Sequence, residues 1–426
     1  MATLTLFSWA VVLLALGAPI AFVLGVPSIP FLLFKGHRLS IIPNQMFEGI
    51  ESFVLVAIPL FFLVGDTMNR AGISERLIKF VNMFVGGFKG GLAHANTVTS
   101  VLFAGMTGTG TGDVAAVGSV FIPAMKKEGY DVQFSAAVTA ASAVVGPIIP
   151  PSVIMVIYGS IIGVSIGGLF AAGFVPGVLI GLACMAINYI QAVRRHYPQK
   201  KVKYSLKEYF LNTLNAIPPL LTPIIILGGM LSGQYTPTEA AAVAVAYAFF
   251  LGFCYRKLNL KTVYAIFVES AIKSSVILLI IATSTILSWI FAVIGLTSSL
   301  IDLMKSLTTD PNLSLLMILF FILIMGCFLD LSVIVILFGP ILAPLAVSMG
   351  FQPLHFGITM IVAVNIGMIT PPMGTCLFAS CAISGINLEE ISREIWPYVI
   401  VETAVLFLIA YWEWLALWVP RLLGFS

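Results

Sequence analysis

Four short segments of this sequence combine residues that break helices with side chains that carry oxygen. Two end in aspartate, and the first of these is also rich in glycine: residues 105–113, GMTGTGTGD, and residues 326–330, GCFLD. The other two contain adjacent prolines: residues 146–152, GPIIPPS, and residues 367–373, GMITPPM. Tandem prolines remove two helix donors and leave the carbonyls one turn earlier without partners. Such carbonyls suit a small hard cation, whereas exposed helix N-termini suit an anion.

The polar side chains of these segments are the candidate ligands. We expect cation sites built from backbone oxygens and the hydroxyls of Thr107, Thr109 and Thr370, with Asp330 as a charged contributor. The segments contain no lysine or arginine that could neutralise an anionic substrate. Asp113 and Asp330 could instead cap helices, and capping is the preferred interpretation for Asp113. A small-residue packing face is the alternative for the Thr-Gly run, but it does not explain the matching proline breaks.

The elements that must position these segments are membrane-spanning helices. Of the 426 residues, 60% are hydrophobic and 9% are charged, whereas soluble domains carry about 25% charged residues. Apolar runs of about 18 residues or more recur along the chain, and runs of this length cross a bilayer as helices. The sequence therefore predicts an all-α polytopic membrane protein with elements at 4–34, 52–70, 92–124, 133–160, 165–193, 209–232, 237–255, 274–296, 312–347, 356–384 and 396–418.

The ends of several predicted spans carry further information. The apolar N-terminus lacks a basic leader, so we interpret residues 4–34 as a first span and not as a signal peptide. Amphipathic stretches at 76–88, 258–270 and 388–396 precede spans and are predicted to lie along the membrane interface as arms. Asp66 lies at the end of a span and is predicted to be interfacial.

The broken segments recur at a fixed distance. Gly105 precedes Gly146 by 41 residues, and Gly326 precedes Gly367 by the same 41 residues. The same 221-residue offset also carries Pro123 onto Pro344, Gly129 onto Gly350, and Lys35 onto Arg256. We therefore predict two repeats, residues 1–206 and 207–426. Each has a re-entrant helical hairpin, at about 92–124 or 312–347, followed by a broken helix, at about 133–160 or 356–384.

The distribution of basic residues predicts how the repeats are oriented. Six basic residues crowd one loop, and clusters of this kind stay on the cytoplasmic side; they are Arg194, Arg195, Lys200, Lys201, Lys203 and Lys207. Counting spans from this loop places the first hairpin's base inside and the second hairpin's start outside. The repeats are thus predicted to be inverted, as in secondary transporters that bind their cargo at the bilayer midplane. A nucleic-acid patch is the disfavoured alternative.

Other patterns that resemble chemical motifs have structural explanations. GTGTGD at 108–113 lacks the Lys-Ser/Thr ending of a phosphate-binding loop. GVSIG at 163–167 matches GxSxG around Ser165, but without a strand-turn-helix setting or an evident histidine partner. Thr236, Pro237 and Glu239 form a capping box. The five cysteines and four histidines are too scattered for a metal centre, so no enzyme is predicted.

Seven longer motifs extend over most of the chain. They are AIPLFFLVGDTMNRAGISERL (57–77), GGLAHANTVTSVLFAG (90–105), IPAMKKEGYD (122–131), GPIIPPSVIMVIYG (146–159), YTPTEAAAVAVAYA (235–248), HFGITM (355–360) and NIGMITPPMGTCLF (365–378). With these motifs the sequence resembles the large membrane subunit, the M subunit of the DctM/SiaM type, of tripartite ATP-independent periplasmic (TRAP) transporters.

This resemblance implies a function and a set of partners. It implies a multi-pass protein of the bacterial inner membrane that imports a small organic carboxylate, of the sialic acid or C4-dicarboxylate class, with sodium as the coupling ion and no other cofactor. The implied partners are a small four-helix membrane subunit (Q) and a periplasmic substrate-binding protein (P), with no nucleic acid. Family members look like elevator transporters, in which hairpins and broken helices move against a fixed scaffold.

The resemblance also implies which residues hold the ion and the substrate. The expected cation ligands of the first repeat are Thr107, Thr109, Gly146, Ile149 and Pro151. Those of the second repeat are Gly326, Asp330, Gly367, Thr370 and Met373. The expected substrate contacts are Thr109, Thr111, Pro150, Ser152, Pro371 and Pro372. Two alternative functions are a stand-alone sodium/dicarboxylate carrier that needs no binding protein and a membrane hydrolase that uses Ser165.

Overall fold

Helices account for the regular structure of the chain. The computed structural model describes residues 2–199 and 204–425, which form α-helices and two 3₁₀ helices, Phe53–Val56 and Ala143–Val145. The α-helices of the first half are α1 (Ala2–Ala15), α2 (Ile20–Gly25), α3 (Ser28–Lys35), α4 (Ile41–Ile50), α5 (Ala57–Arg70), α6 (Ile73–Val85), α7 (Gly91–Thr107), α8 (Gly110–Lys127), α9 (Val132–Ser142), α10 (Val153–Ile162) and α11 (Ile166–Arg194). Those of the second half are α12 (Leu206–Leu231), α13 (Pro237–Cys254), α14 (Leu260–Val293), α15 (Leu296–Leu307), α16 (Pro311–Gly326), α17 (Leu331–Ser348), α18 (Pro353–Gly367), α19 (Thr375–Ser384), α20 (Leu388–Tyr411) and α21 (Glu413–Leu422).

The helices confirm the predicted polytopic membrane fold. Seven helical segments of the described residues are long and apolar enough to span a bilayer. Six shorter apolar helical segments, of 10 to 17 residues, are also present, and most of them belong to the hairpins and broken helices. Because a bilayer core is about 30 Å thick and needs about 20 helical residues, the shorter helices must enter or cross it in pairs.

The internal repeat is visible element by element. In the first half the hairpin is α7–α8 and the broken helix is α9–α10; in the second half the corresponding pairs are α16–α17 and α18–α19. When 221 is added to the first and last residue numbers of α8, the result is the first and last residue numbers of α17. It also carries Gly129 onto Gly350, which have positive φ values of 88° and 95° because each ends a helix in a left-handed turn. Both predicted hairpins and both predicted breaks are therefore confirmed.

Three predicted boundaries are wrong. Residues 4–34 do not form one span but α1, α2 and α3, which are interrupted near Gly17, Pro19 and Pro27. Residues 258–270 are not a separate arm, since they form the start of the uninterrupted 34-residue α14. Residues 388–396 likewise continue into α20, which ends at Tyr411, before the end of the predicted span at 418. Amphipathic composition cannot distinguish an arm from the polar end of a long helix when no glycine or proline separates them.

The arm of the second repeat is α15, which the sequence pattern did not single out. It occupies the same place before its hairpin as α6 does in the first repeat, and Gly295, with a φ of 66°, separates it from α14. None of its described side chains is buried, as expected for a helix at an interface. The predicted arm at 76–88 corresponds to α6, which starts at Ile73 and ends at Val85.

The helices pack in two groups that meet around the broken segments. In the first group α5 packs on α13 and α14, and α12 packs on α13 and α6. In the second group α11 and α20, the long helices that end the two repeats, pack together and against the hairpins and broken helices. The groups touch where α5 and α6 meet α7, where α5 meets α10, and where α14 meets α17.

The predicted capping box at the start of α13 allows a direct stability test. Thr236 Oγ1 accepts a hydrogen bond from Glu239 N at 3.3 Å, and Glu239 Oε2 accepts one from Thr236 N at 2.8 Å. Replacement Thr236→Ala should lower the free energy of unfolding by about 1 kcal/mol, because it leaves a helix N–H without a partner. Thermal unfolding of the purified protein measures this loss. Ser298→Ala, at an exposed residue of α15, is the control and should not shift the midpoint.

Candidate ion and substrate site

The tip of the first hairpin is a tight turn of two residues. α7 ends at Thr107, and α8 begins at Gly110. Between them Gly108 has a φ of 61°, a left-handed conformation that favours glycine. A Cβ atom on Gly108 would also lie 3.0 Å from the carbonyl oxygen of Pro151. The Gly residues of the Thr-Gly run therefore allow the hairpin tip to approach the broken helix closely.

Both proline pairs interrupt their helices. Residues 146–152 separate the 3₁₀ turn at the end of α9 from α10, and residues 368–374 separate α18 from α19. The bonds between Pro150 and Pro151 and between Pro371 and Pro372 are both cis. Ser152 begins α10 as its N-cap: its Oγ accepts from Met155 N at 3.4 Å and donates to Pro147 O at 2.6 Å.

Each hairpin tip meets the break of its own repeat. A Cβ atom on Gly146 would lie 3.2 Å from Thr109 O, so the first break touches the backbone of the first tip. In the second repeat a Cβ atom on Gly326 would lie 2.8 Å from the Cα of Gly367, and the reverse distance is 2.5 Å. The two backbones are thus in direct contact at both junctions, and the residues predicted to share a site are brought together.

A cavity of about 730 Å³ lies between the hairpin tips and helices α5 and α14. Four predicted site residues line it: Thr107, Thr109, Thr111 and Asp330. The other predicted residues are not among those that line it; they are Gly146, Ile149, Pro150, Pro151, Ser152, Gly326, Gly367, Thr370, Pro371, Pro372 and Met373. Among these, Ser152 is fully buried, whereas Pro372 and Met373 are exposed away from the cavity.

Four charged side chains line the same cavity, and the sequence pattern did not assign them to a site. Lys273 Nζ lies 2.5 Å from Asp66 Oδ1, and Arg70 forms an ion pair with Glu269. Asp66 also accepts a hydrogen bond from Ser270 Oγ at 2.8 Å. The prediction that Asp66 is interfacial did not anticipate this role, because α5 presents its side chain to the cavity.

These side chains also change the charge that the sequence predicts for the site. The broken segments lack basic residues, but the cavity does not, since Arg70 and Lys273 reach it from α5 and α14. A signal for them exists in the sequence: α5 and α14 each carry an acid and a base four residues apart within an apolar span. Charges within such spans face a bundle interior or a water-filled cavity more often than lipid.

The two aspartates of the hairpins have different environments. Asp330 is the N-cap of α17, where its Oδ1 accepts from Ser332 N at 3.0 Å. Its capping role is compatible with cation binding, because a carboxylate has further lone pairs. Asp113 is fully buried, and neither carboxylate oxygen has a hydrogen-bond partner among residues 2–199 and 204–425. The preferred interpretation of Asp113 as a cap is wrong, since Thr109 occupies the N-cap position of α8.

Two hydroxyls near the site have ordinary helical partners that leave them available as ligands. Thr107 Oγ1 donates to Phe103 O at 3.4 Å, and Thr370 Oγ1 donates to Ile366 O at 2.8 Å. A hydroxyl that donates its hydrogen keeps its oxygen lone pairs for a cation. Ser165, by contrast, caps α11 by accepting a hydrogen bond from Gly168 N at 3.1 Å. That role accounts for the GxSxG match.

Paired hairpins and broken helices around a charged cavity in an apolar helical bundle define a membrane transport protein. The family model of the tripartite ATP-independent periplasmic transporter, DctM component, matches residues 7–415. The chain belongs to this family. It is therefore a multi-pass protein of the bacterial inner membrane and a transporter permease, not an enzyme.

Named relatives agree with this assignment, and a solved structure has a similar fold. The chain is 37% identical over 425 residues to the sialic acid TRAP transporter large permease protein SiaM of Vibrio cholerae, covering 99% of each chain. It is 36% identical over 400 residues to the C4-dicarboxylate TRAP transporter large permease protein DctM of Pseudomonas aeruginosa, covering 94% of this chain and 93% of the relative. The crystal structure of the YdaH transporter of Alcanivorax borkumensis has a similar fold, with a TM-score of 0.62, 14% identity and 88% of each chain covered.

Proposed function

We propose that this chain is the sodium-coupled permease of a tripartite uptake system for small organic carboxylates of the sialic acid or C4-dicarboxylate class. A periplasmic binding protein delivers the substrate, and a small four-helix membrane subunit completes the complex in the bilayer. The relatives SiaM and DctM, which are named for sialic acid and C4-dicarboxylates, support this class of cargo.

The charge of the cavity lining is the observation that carries the proposal. Asp66, Glu269 and Asp330 contribute three negative charges, while Arg70 and Lys273 contribute two positive charges. The lining thus has a net charge of −1 when all five groups are ionised. A carboxylate cannot enter such a cavity favourably unless cations bind with it, because an unpaired charge at bilayer depth is costly.

The junctions between tips and breaks are the sites we assign to those cations. At each junction a glycine of the break, Gly146 or Gly367, lies against the backbone of the hairpin at Thr109 or Gly326, so backbone carbonyls lie close together where no side chain intervenes. The proposed sodium ligands are those of the sequence prediction, with Thr107, Thr109 and Asp330 nearest the cavity. Sodium bound there places positive charge beside the substrate, in addition to that of Arg70 and Lys273 in the cavity lining.

The substrate is proposed to lie in the cavity against the first tip, at Thr109 and Thr111. The second group of helices, with both hairpins, is proposed to move as a unit against α5, α12, α13 and α14. A Cβ atom placed on Gly65 would lie 3.3 to 3.5 Å from backbone atoms of Met106 and Thr107. This close contact without a side chain is compatible with sliding between the two groups. Pro150, Pro371 and Pro372 would then contact substrate only in another position of this moving unit.

Reconstitution into liposomes tests the function. Uptake of labelled sialic acid or succinate is measured with the chain alone, with the small subunit, and with both partners, each with and without an inward sodium gradient. We expect uptake only with both partners and the gradient. Sodium-driven uptake by the chain alone would instead establish the stand-alone carrier, and uptake without sodium would exclude the proposed coupling.

Substitution Thr370→Ala tests the second ion site. Loss of one hydroxyl ligand should weaken sodium binding by about 1 to 3 kcal/mol, which is roughly 5- to 150-fold in affinity. The measurement is the sodium concentration that gives half-maximal uptake. Thr359→Ala is a matched control, because Thr359 lies in α18, the helix that ends just before Thr370, and it donates to His355 O at 2.8 Å, as Thr370 does to Ile366 O. An unchanged sodium dependence in Thr370→Ala would remove Thr370 from the site.

A further inference from the structure

A second buried acid lies outside the lining of the cavity, between the two long helices that end the repeats. Glu402 of α20 is fully buried, and its Oε2 has no hydrogen-bond partner in the described parts of the chain. Its other oxygen, Oε1, lies 3.1 Å from the thiol of Cys184 on α11. None of the residues assigned to sodium or substrate touches it through a hydrogen bond or ion pair that the structure shows.

Among residues 2–199 and 204–425, the groups that face Glu402 from the helices packed against it do not include an unpaired positive charge. α20 packs against α9, α11, α18, α19 and α21. Helix α9 has no titratable side chain, α11 contributes the Cys184 thiol, and α19 contributes the Cys376 thiol, which interacts electrostatically with Glu402. His355 of α18 forms a hydrogen bond with Ile409 O through its Nε2, and Arg421 of α21 forms an ion pair with Glu413. An ionised Glu402 would therefore be an uncompensated charge in the bilayer, which costs several kcal/mol.

Three polar contacts, called the ladder below, lie in series between Glu402 and the end of the bundle that carries the basic loop. Arg195 Nη2 lies 2.6 Å from Glu394 Oε2, and Tyr398 Oη donates to Asn188 Oδ1 at 2.6 Å. The Cys184–Glu402 contact is the third rung. Along α20 the rungs are four residues apart, so they lie on one face at intervals of about 6 Å.

We propose that Glu402 is an intramembrane proton-binding site, which holds its proton at neutral pH and exchanges it with the basic-loop side of the membrane along this ladder. A proton removes the charge without needing further oxygen ligands, whereas a metal ion would need several. Polar and ionisable side chains in series through an apolar bundle are the usual arrangement of a proton relay. The site is independent of the sodium sites and goes beyond the proposed coupling.

Infrared spectroscopy of the full chain in lipid tests whether Glu402 carries a proton. We expect a carbonyl stretching band of protonated carboxyl groups at pH 7 that loses the Glu402 component in Glu402→Gln, while any component of the buried Asp113 remains. The band should remain in Glu389→Gln, the control, since Glu389 is an exposed acid of the same helix. If Glu402→Gln leaves the protonated-carboxyl region unchanged, the proposal is overturned.

Stability as a function of pH distinguishes a proton from a metal ion. Because the folded state disfavours the charge, raising the pH through deprotonation of Glu402 should lower the unfolding temperature, and Glu402→Gln should remove this loss. The increase in unfolding temperature on adding sodium should be the same in both proteins. If Glu402→Gln loses the sodium effect but keeps the pH effect, Glu402 is a sodium ligand and the proton site is refuted.

Deuterium exchange tests the ladder. When the protein is transferred to D₂O, the carboxyl band shifts as deuterium replaces the proton, and the rate of this shift reports access. Tyr398→Phe should retain the band and slow its shift at least several-fold, because it removes the middle rung. An equal rate in Tyr398→Phe would show that the proton reaches Glu402 by another route.

Discussion

Replacement of Gly326 by alanine is expected to abolish sodium-driven uptake while the protein still inserts in the membrane. The added Cβ atom would lie 2.8 Å from the Cα of Gly367, and backbone atoms cannot move aside as a flexible side chain can. The second hairpin and its broken helix must therefore separate. A displacement of about 1 Å in a preorganised site costs roughly 100-fold in activity, so we expect a loss of at least about that size.

Two further variants show whether this loss is specific to the junction. Gly339→Ala, in the other arm of the same hairpin, is the control, because its Cβ atom would meet only Ile162 Cδ1 at 3.7 Å, an ordinary contact. Gly367→Ala should reproduce the loss from the opposite side of the contact, where the Cβ atom would lie 2.5 Å from Gly326 Cα. Full uptake by Gly326→Ala would show that the close approach at this junction is not needed for transport.

Replacement of Lys273 by methionine is expected to lower the apparent affinity for substrate by about 10- to 150-fold, the effect of losing a charged hydrogen bond worth about 1.5 to 3 kcal/mol. Lys273 is half-exposed to the cavity beside Asp66, and it is one of two basic groups in the lining. Without it the net charge of the lining falls from −1 to −2. The measurement is the concentration dependence of uptake at saturating sodium.

Controls for this prediction separate the loss of a substrate contact from the loss of an ion pair. Lys261→Met, at an exposed lysine near the start of the same helix, should leave the affinity unchanged. Lys273→Met leaves the carboxylate of Asp66 without its ion-pair partner, which should lower the stability of the protein. The double variant Asp66→Asn with Lys273→Met removes both charges of the pair, so it should restore the stability without restoring the affinity for substrate. If Lys273→Met transports with normal affinity, Lys273 does not contact the substrate and the cavity assignment must be revised.

Much of the fold could be predicted because the residues that determine it act locally. Adjacent prolines, as at 150–151 and 371–372, remove two donors of a regular helix in any context. Glycine, as at position 108, can adopt a left-handed backbone conformation in any context. Apolar runs of fixed length must cross a bilayer. The boundaries that were wrong, at 258–270 and 388–396, are places where no such residue separates an interfacial stretch from the following helix.

The composition of the candidate site was only partly predictable. The tips and breaks are recognisable because helix-breaking residues mark them, whereas Arg70 and Lys273 lie on regular helices, where only an acid four residues earlier in an apolar span distinguishes them. Asp113 was assigned to a cap from its position near a helix start, yet the cap is Thr109 and the carboxyl points into the packed interior. Side-chain direction within one turn depends on where the turn begins, and a spacing pattern does not locate that residue to the required precision.

The sequence by itself determined that this chain spans a membrane, that its two halves repeat with an offset of 221 residues, and that each half has one hairpin and one broken helix. Hydropathy and helix breakers depend only on neighbouring residues, so no tertiary information was needed. Only the tertiary structure decided which helix faces enclose the cavity, where Asp66 pairs with Lys273 across 207 residues of sequence. It also decided that Cys184 contacts Glu402 across 218 residues, outside the cavity. The rotation of each helix about its axis depends on all the surfaces that pack against it, and those surfaces come from distant parts of the chain.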